Sequence, residues 1–435
     1  MKLHLIPQIG ENARRFGEVV GILTKYGLAE WLSHTELEGP KKWFTGSEGE
    51  NLAGQSRAVR IRLAVTELGT TFIKLGQMLS TRPDVVGEDV ASELAKLQEH
   101  APPDSPEMTL ATLKKELGKP ARELFKHFDP KPVASASIGQ AHEAVTFQGK
   151  AVIVKIQHPD IAGKLKSDLE ILEALARFAE NYKPLRRYQA SAFVKEFRRS
   201  LLRELDFARE QRNLEEFTAN FSKDPSVRFP AVFPELSTPR VLTMEKLSGV
   251  NLHEVAKLKR TGYDRDELAR RGAFVWMEMI FRDGFYHADP HPGNILILPE
   301  GVIGILDCGM VDRIGEDLRE NVEEILGAIG DRDAPALARK LMRLCDAPAG
   351  FDEAAFTADI GDFIGQFGNQ GLSHFHLGSA LGEIGKTVAR GNLMLPSSVS
   401  RLIKVFVMLE GTARLLSPSL NLMQIIGPYK KKIFL

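Results

Sequence analysis

The chain has 435 residues, 43% hydrophobic and 26% charged, with 57 Lys and Arg against 57 Asp and Glu. Those are the proportions of an ordinary globular protein with room for two or three compact units, and they exclude collagen-like, mucin-like and globally disordered chains. Zero formal net charge and a pI near 7.2 argue against a nucleic-acid-coating protein, and Cys308 and Cys345 alone make neither a disulfide framework nor a four-ligand zinc site.

A reducing compartment is therefore expected. The opening Met-Lys-Leu-His-Leu-Ile-Pro-Gln-Ile-Gly has no apolar core of signal-peptide length, and Glu11 and Glu18 follow it early. No run of 18 apolar residues occurs, so the chain is not expected to cross a membrane, although it could lie on one.

Residues 12–100 read as helices. Phe16, Val19, Val20, Leu23, Tyr26 and Leu28 recur at three- and four-residue steps, and 60–79 continues with Ile61, Leu63, Val65, Leu68, Phe72, Leu75 and Leu79. Pro102, Pro103 and Pro106 end this block, and 108–117 forms a short helix stopped by Gly118 and Pro120. The texture then changes. Segments 133–140, 141–147 and 151–157 are short and β-branched or alternating, with Gln148-Gly149 as a turn, and predict an antiparallel meander. Helical spacing returns at 161–175 and 191–221, a strand follows at 241–247, and 268–281 is helical. A hairpin is expected from 295–298 and 302–306 across Pro299-Glu300-Gly301, with helices from 316 to about 422. The order of elements predicts an α+β fold with segregated helices and strands.

The densest polar cluster is His287-Ala288-Asp289-Pro290-His291-Pro292-Gly293-Asn294, between a helix and the hairpin, with Asp307-Cys308-Gly309 at the hairpin's far end. Phosphoryl transfer asks for such a set. Asp289 can orient an attacking hydroxyl or water, while Asn294 and Asp307 offer hard oxygen ligands to Mg²⁺. Taken by itself the loop could equally be a turn whose Asp and Asn serve as caps; Asp307 at protein-kinase spacing tips the balance to function. Upstream, Val152-Ile153-Val154-Lys155-Ile156 is an apolar strand with one lysine, as in the kinase strand that holds the α- and β-phosphates. Before it, Ala134-Ser135-Ala136-Ser137-Ile138-Gly139-Gln140 sits where a nucleotide-covering loop belongs, its small side chains letting backbone N–H groups approach phosphate.

Two features stay open on residue pattern alone. Glu204-Leu205-Asp206, in a helix that also carries Glu196 and Glu210, could pair with Lys155 or help bind metal; interleaved Arg198, Arg199, Arg203 and Arg209 equally suit a solvated face. Lys74-Leu75-Gly76-Gln77 places a glycine in a helix interior at a cost of about 1 kcal/mol relative to Ala. Close backbone packing is the favoured explanation; a site needing Lys74 beside Gln77 is the other.

With these motifs in view, the chain resembles the UbiB/AarF family of atypical protein-kinase-like proteins over residues 60–312. Lys74 to Gln77 fits the family's K-x-G-Q signature, Ala134 to His142 its alanine-rich loop and S-I-G-Q-x-H, Lys155 the strand lysine, Glu204 and Asp206 the E-x-D motif, His287 to Asn294 the H-A-D-P-H-P-G-N loop, and Asp307 the metal-binding aspartate. The resemblance implies a two-lobed kinase-like fold with an N-terminal helical K-x-G-Q extension and a helical C-terminal region, divided as 1–59, 60–130, 131–248 and 249–435. It implies ATP and Mg²⁺ as cofactors. Asp289, Lys155, Lys74, Gln77 and Glu204 would be catalytic; Ala134, Ser135, Ala136, Ser137, Lys155, Met244, Glu245 and Leu247 would bind nucleotide; Asn294 and Asp307 would bind metal.

In the family the K-x-G-Q lysine and glutamine contact the E-x-D acids where a protein substrate would dock, which argues against phosphorylation of proteins in trans. Family members are linked to ubiquinone biosynthesis and isoprenoid-lipid homeostasis, hydrolyse ATP and associate with membranes. The resemblance thus implies an isoprenoid or quinone-type lipid partner and a cytoplasmic protein, peripheral on the inner face of the cell membrane.

Three departures stand out. Ser135 replaces an alanine, adding a hydroxyl near the phosphates. Cys308 replaces the phenylalanine usual after the metal-binding aspartate and is expected to be a buried structural cysteine. The chain ends in Lys430-Lys431-Lys432-Ile433-Phe434-Leu435 rather than in transmembrane helices, and that tail could touch anionic lipid. Two other functions remain: a small-molecule kinase of the aminoglycoside or choline type, against which the K-x-G-Q helix counts, and a nucleotide-gated scaffold or lipid-binding module.

Overall fold

The computed structural model describes residues 9–28, 54–97, 102–181, 189–260, 262–345, 347, 350–368, 376–391 and 393–430. The lysine-rich tail from 431 onward and the first eight residues lie outside them. The chain packs as two compact units, Met1–Ala208 with Pro234–Thr243, and Arg209–Phe233 with Met244–Leu435.

The first unit begins with α1 (Ile9–Lys25), whose Val19 and Val20 are buried. The continuous helix expected over 60–79 is instead two, α2 (Arg57–Leu68) and α3 (Thr70–Ser80), parted by Gly69 at φ +92°, a conformation that glycine adopts without steric cost. Short helices α4 (Pro83–Val86) and α5 (Glu88–Leu94) follow. A Cβ on Gly76 would stand 2.5 Å from Leu97 Cδ1 and 3.1 Å from Val65 Cγ1, so the glycine lets α3 lie close to neighbouring side chains rather than to another backbone as expected. Next, α6 (Pro106–Leu117) starts two residues before the expected 108, on a Ser105 cap with Pro at its first position, and ends at left-handed Gly118 as expected, and α7 (Ala121–Leu124) is a single turn.

Of the expected meander, β3 (Gly139–Val145) and β4 (Ala151–Gln157) form a seven-residue antiparallel ladder closed by Gly149 at φ +80°. The strand expected over 133–140 is mostly loop. Only β2 (Ala134–Ser135) pairs with β3, because Gly139 and Gln140 already belong to the next strand. A two-residue strand, β1 (His127–Phe128), too short to leave a pattern in sequence, pairs on β3's other end. Helices α8 (Ile161–Glu180) and α9 (Ala190–Glu204) then pack with α1 and α3 around Val19, Leu68, Phe72, Leu165, Leu169, Phe197 and Leu201.

The helix expected over 191–221 breaks at Leu205-Asp206. Asp206 Oδ1 accepts the Ala208 N–H and starts α10 (Phe207–Asn220). Glu204-Leu205-Asp206 is thus a helix junction rather than part of one helix. After β5 (Val227–Arg228) comes β6 (Val241–Glu245), which completes the order β1-β3-β4-β6 with β2 on β3.

In the second unit, β7 (Val250–Asn251) and α11 (Val255–Leu258) precede α12 (Arg265–Met277), which is capped by Asp264 and runs into a π-helical turn, Glu278–Arg282. Strand β8 (Phe285–His287) leads to the hairpin β9 (Ile295–Ile297) and β10 (Ile303–Ile305), turned at Pro299–Gly301 as expected. Its sheet has the order β5-β10-β9-β7, and β11 (Val311–Arg313) pairs antiparallel with β8. Helices α13 (Glu316–Asp331), α14 (Ala334–Leu344), α15 (Glu353–Gly368), α16 (Leu377–Arg390), α17 (Ser397–Leu416) and α18 (Leu422–Lys430) complete the unit. No helix of the described residues is long and apolar enough to cross a membrane.

Candidate functional site

In the first unit Lys74, mid-way along α3, places Nζ 2.7 Å from Glu204 Oε2 at the end of α9. Gln77, one turn on, donates from Nε2 to the Leu97 carbonyl at 3.4 Å. Glu204, one of the acids left open by the sequence, thus meets the K-x-G-Q lysine. Lys155 sits in β4 opposite Ala141, and the strand's alternation puts Val152, Val154 and Ile156 on the buried face and Lys155 on the other.

The Ala134–Ser137 loop closes on itself through Ala136 N–H to the Gly139 carbonyl at 2.9 Å. Gly139 has no room for a side chain, since a Cβ would stand 2.5 Å from the Ile156 carbonyl oxygen. Ser135 Oγ, the hydroxyl that distinguishes this loop, is enclosed in protein and has no hydrogen-bond partner. On β3, burial holds the His142 imidazole below its ordinary pKa, against the opposing pull of the Asp129 carbonyl it contacts at 2.9 Å.

In the second unit the polar loop is gripped at almost every residue. The Asp289 N–H donates to His287 Nδ1 at 3.1 Å, so the neutral ring carries its proton on Nε2 and donates it to the Asp307 carbonyl. That one imidazole joins the start of the loop to the aspartate beyond the hairpin. Trp276 Nε1 donates to the His287 carbonyl (3.1 Å), Thr412 Oγ1 to that of Pro290 (2.7 Å), and Asn251 Nδ2 to that of Gly293 (3.1 Å). Asn294 Nδ2 donates to Asp289 Oδ2 at 3.0 Å, and the Asn294 carbonyl accepts the Leu306 N–H at 2.9 Å, which places Asn294 beside the residue before Asp307.

Asp307 Oδ1 accepts the Gly309 N–H at 2.9 Å. Cys308 is fully buried as expected, its N–H on Glu210 Oε1 (3.3 Å) and its carbonyl on Asn213 (2.8 Å). Glu210, six residues after Glu204, thus holds the segment that follows Asp307. Beside this segment burial, and then the charge of Asp312, push the Tyr286 phenol far above its usual range.

The other residues expected to bind nucleotide lie at the end of β6 and just beyond it. Met244 is buried, the Glu245 carboxylate accepts from Arg228 (2.5 Å) and the Ala231 N–H (3.3 Å), and Leu247 packs with Leu296 and Leu298. For a metal, the donor chemistry is the test. With its amide nitrogen turned to Asp289, Asn294 has Oδ1 to offer a cation, and Asp307 supplies a carboxylate whose Oδ1 accepts the Gly309 N–H. Among the described residues no three His, Cys, Asp or Glu side chains converge as a transition-metal site would require. Two oxygen donors fit Mg²⁺, which fills its octahedron with phosphate and water.

Asn251, Trp276 and Thr412 are the positioning residues that sequence reading missed. Each lies in another element, at separations of 42, 11 and 122 residues from its partner in the loop, and none sits in a recognisable motif.

A small sheet bearing one strand lysine, and a D-x-x-x-x-N loop leading through a hairpin to a second aspartate, define a protein-kinase-like α+β fold. The ABC1 atypical kinase-like domain matches residues 96–341, more than half of the chain, and the chain belongs to that family. It is 34% identical over 429 residues to a protein of Aeromonas hydrophila described as probable protein kinase UbiB, covering 96% of this chain and 78% of that one. It is 31% identical over 436 residues to the similarly described protein of Azotobacter vinelandii, covering 96% and 80%. A Mycobacterium tuberculosis structure, Rv3197 in complex with erythromycin, aligns with 82% of this chain and 94% of its own at 24% identity and a TM-score of 0.49.

Proposed function

We propose that the chain is an Mg²⁺-dependent, ATP-binding atypical kinase that turns over ATP in support of ubiquinone or related isoprenoid-lipid metabolism. The observation that carries this reading is the Asp289–Asn294 contact at 3.0 Å, with Asn294 tied through its carbonyl to Leu306, next to Asp307. That arrangement supports Asp289 as the group that orients the attacking hydroxyl or water, and Asn294 and Asp307 as the metal ligands. Mg²⁺, when bound, neutralises charge on the phosphates. Lys155 holds the α- and β-phosphates, and the loop from Ala134 to Ser137 covers the nucleotide. Met244, Glu245 and Leu247 complete the nucleotide set.

Lys74 is committed to Glu204, which favours ATP turnover or small lipid-like acceptors over protein substrates in trans. The lipid class rests on the family resemblance and on the UbiB name of the relatives. On the family resemblance we propose that the protein acts in the cytoplasm, at the inner face of the membrane.

The test is ATP turnover by the purified protein with and without Mg²⁺ and anionic liposomes, alongside Asp307→Asn. Turnover that requires Mg²⁺, rises with liposomes and falls at least about 100-fold in the variant is expected, since disturbing even the outer partners of a metal ligand typically costs 10- to 100-fold. Turnover equal in wild type and variant would sink the metal assignment. ATP binding without any turnover would move the function to a nucleotide-gated scaffold.

A further inference from the structure

Every carbonyl from Ala136 to Gly139 has a hydrogen-bond donor. The Gly139 carbonyl takes the Ala136 N–H (2.9 Å), and the Ile138 carbonyl takes the His158 N–H (2.9 Å). The Ser137 carbonyl takes the Thr70 hydroxyl at the start of α3 (3.2 Å), and the Ala136 carbonyl faces His158 Nε2 (2.8 Å). A trans peptide points its C=O and the next N–H in opposite directions. Holding the Ala136 and Ser137 carbonyls therefore turns the amides of Ser137 and Ile138 away from His158 and Thr70 respectively.

His158 makes a second bond, from Nδ1 to Asp104 Oδ2 at 2.7 Å, with both side chains mostly buried. Asp104 belongs to the proline-rich linker before α6, and its N–H donates to Gln140 Oε1 (2.9 Å), while Gln140 Nε2 donates to Thr109 (2.6 Å). A carboxylate and a backbone carbonyl only accept hydrogen bonds. Both ring nitrogens must donate at once, and only the imidazolium can do that.

We propose that His158 is a positioning residue for the 134–140 loop: a cationic clip between Asp104 and the Ala136 carbonyl that sets the direction of the loop amides and loosens when the ring loses its proton. The proposal deepens the kinase reading and rests on it for the nature of the loop, though the clip itself is a property of the unliganded chain. Asp104 is the charge facing the ring from the linker. His142 on β3 also feels the Asp104 charge, and Asp160 lies two residues on, at the start of α8. A bond pair made only by the cation holds at low pH and is lost as pH rises.

Hydrogen exchange of the full chain without nucleotide, read over roughly pH 5–8 at the Ala136 and His158 amides, which donate to the Gly139 and Ile138 carbonyls, tests the clip directly. Protection, corrected for the intrinsic pH dependence of exchange, is expected to fall as pH rises. In His158→Ala it drops about tenfold at the acid end, the scale of one charge-assisted bond, and becomes flat with pH. His158→Arg keeps a cation with several donors, so it restores protection and removes the fall, which guards against a variant that merely misfolds. Asp104→Asn replaces the charged acceptor on Nδ1 with a neutral one and is expected to lower protection at the acid end.

With Mg·ATP the KM of His158→Ala rises about tenfold, more than kcat changes, as expected of a residue that shapes the loop without touching the reacting atoms. Equal protection in wild type and His158→Ala, or a flat wild-type profile, overturns the proposal. Wild-type protein that shows the pH-dependent protection but binds no Mg·ATP supports the clip and removes the nucleotide reading instead.

Discussion

The ion pairs beside the motif residues of the two units make a contrast. In the first, Lys74 and Glu204 keep 10% and 17% of their side-chain exposure, and Asp168 is buried under Arg15. In the second, Arg313 and Glu216, beyond the Asp307 segment, are 65% and 35% exposed. What grips the polar loop there is mostly uncharged, from Trp276, Asn251 and Thr412. A buried pair has already borne its desolvation, so removing one member leaves a stranded charge, whereas an exposed pair is rehydrated at once. The same type of substitution should therefore have very different consequences in the two units.

The largest effect is expected at Asp168. Its carboxylate takes Arg15 Nε at 2.7 Å, Nη2 at 3.3 Å and the Thr71 hydroxyl at 2.5 Å, while Arg15 Nη2 also holds the Leu68 carbonyl at the joint between α2 and α3. The hydrogen bond to Asp168 raises the Arg15 pKa further, so the arginine cannot escape by losing its proton. Asp168→Ala should cost about 3–5 kcal/mol in urea unfolding. The double change Arg15→Met with Asp168→Leu should cost less than Asp168→Ala alone, and a double variant that is worse would break the comparison. Glu204→Gln keeps an acceptor for Lys74 but removes its counter-charge at a slightly wetter site. A loss of about 2–3 kcal/mol is expected, smaller than at Asp168.

In the second unit Thr412→Val keeps the shape and removes the hydroxyl from the buried Pro290 carbonyl. An unsatisfied buried acceptor costs about 1–3 kcal/mol. Because Pro290 follows Asp289, kcat for ATP should fall along with stability, by up to about tenfold. A variant that loses stability but keeps its turnover would show that the loop does not need this anchor.

These anchors also mark the limit of what could be read from the sequence. The motif residues were legible by two routes: His287 to Asn294 and Asp307 by their spacing, and Lys74 to Gln77 and Lys155 chiefly through the family resemblance. The hairpin after Asn294 and the Gly118 stop were legible from local residue pattern. The break at Leu205-Asp206 was not, because the helical apolar spacing continues across it with Leu201, Leu205 and Ala208 in step, and Asp206 accepting the Ala208 N–H marks the start of the next helix. The strand expected over 133–140 failed because alternating Ala and Ser mimic a strand; carbonyl bonds to His158 and Thr70 hold those residues as a loop. Thr412, Asn251 and His158 are single polar residues in unremarkable surroundings, and their roles come from partners far along the chain.

The smallest effect should come from Arg313, one strand residue beyond the Asp307 segment. It pairs with both oxygens of Glu216, at 2.7 and 2.6 Å, and stacks over Phe285 with its guanidinium carbon 4.5 Å from the ring centre. The count of contacts makes it look important, yet the group is mostly in water, where ion pairs of this kind contribute between nothing and about 1 kcal/mol and weaken with salt. The alternative support for this segment is the β11–β8 ladder, in which Val311 faces His287 and Arg313 faces Phe285 through backbone bonds that no side-chain change removes. Arg313→Ala should therefore cost at most about 1 kcal/mol, and less in roughly 1 M salt. Arg313→Lys should lose nearly as much as Arg313→Ala, since it keeps the charge but not the planar fork that suits both Glu216 and the ring. If Arg313→Ala instead cost as much as Asp168→Ala, the segment beyond Asp307 would be held by its charges, and the contrast between the two units would fail at the place nearest the proposed metal site.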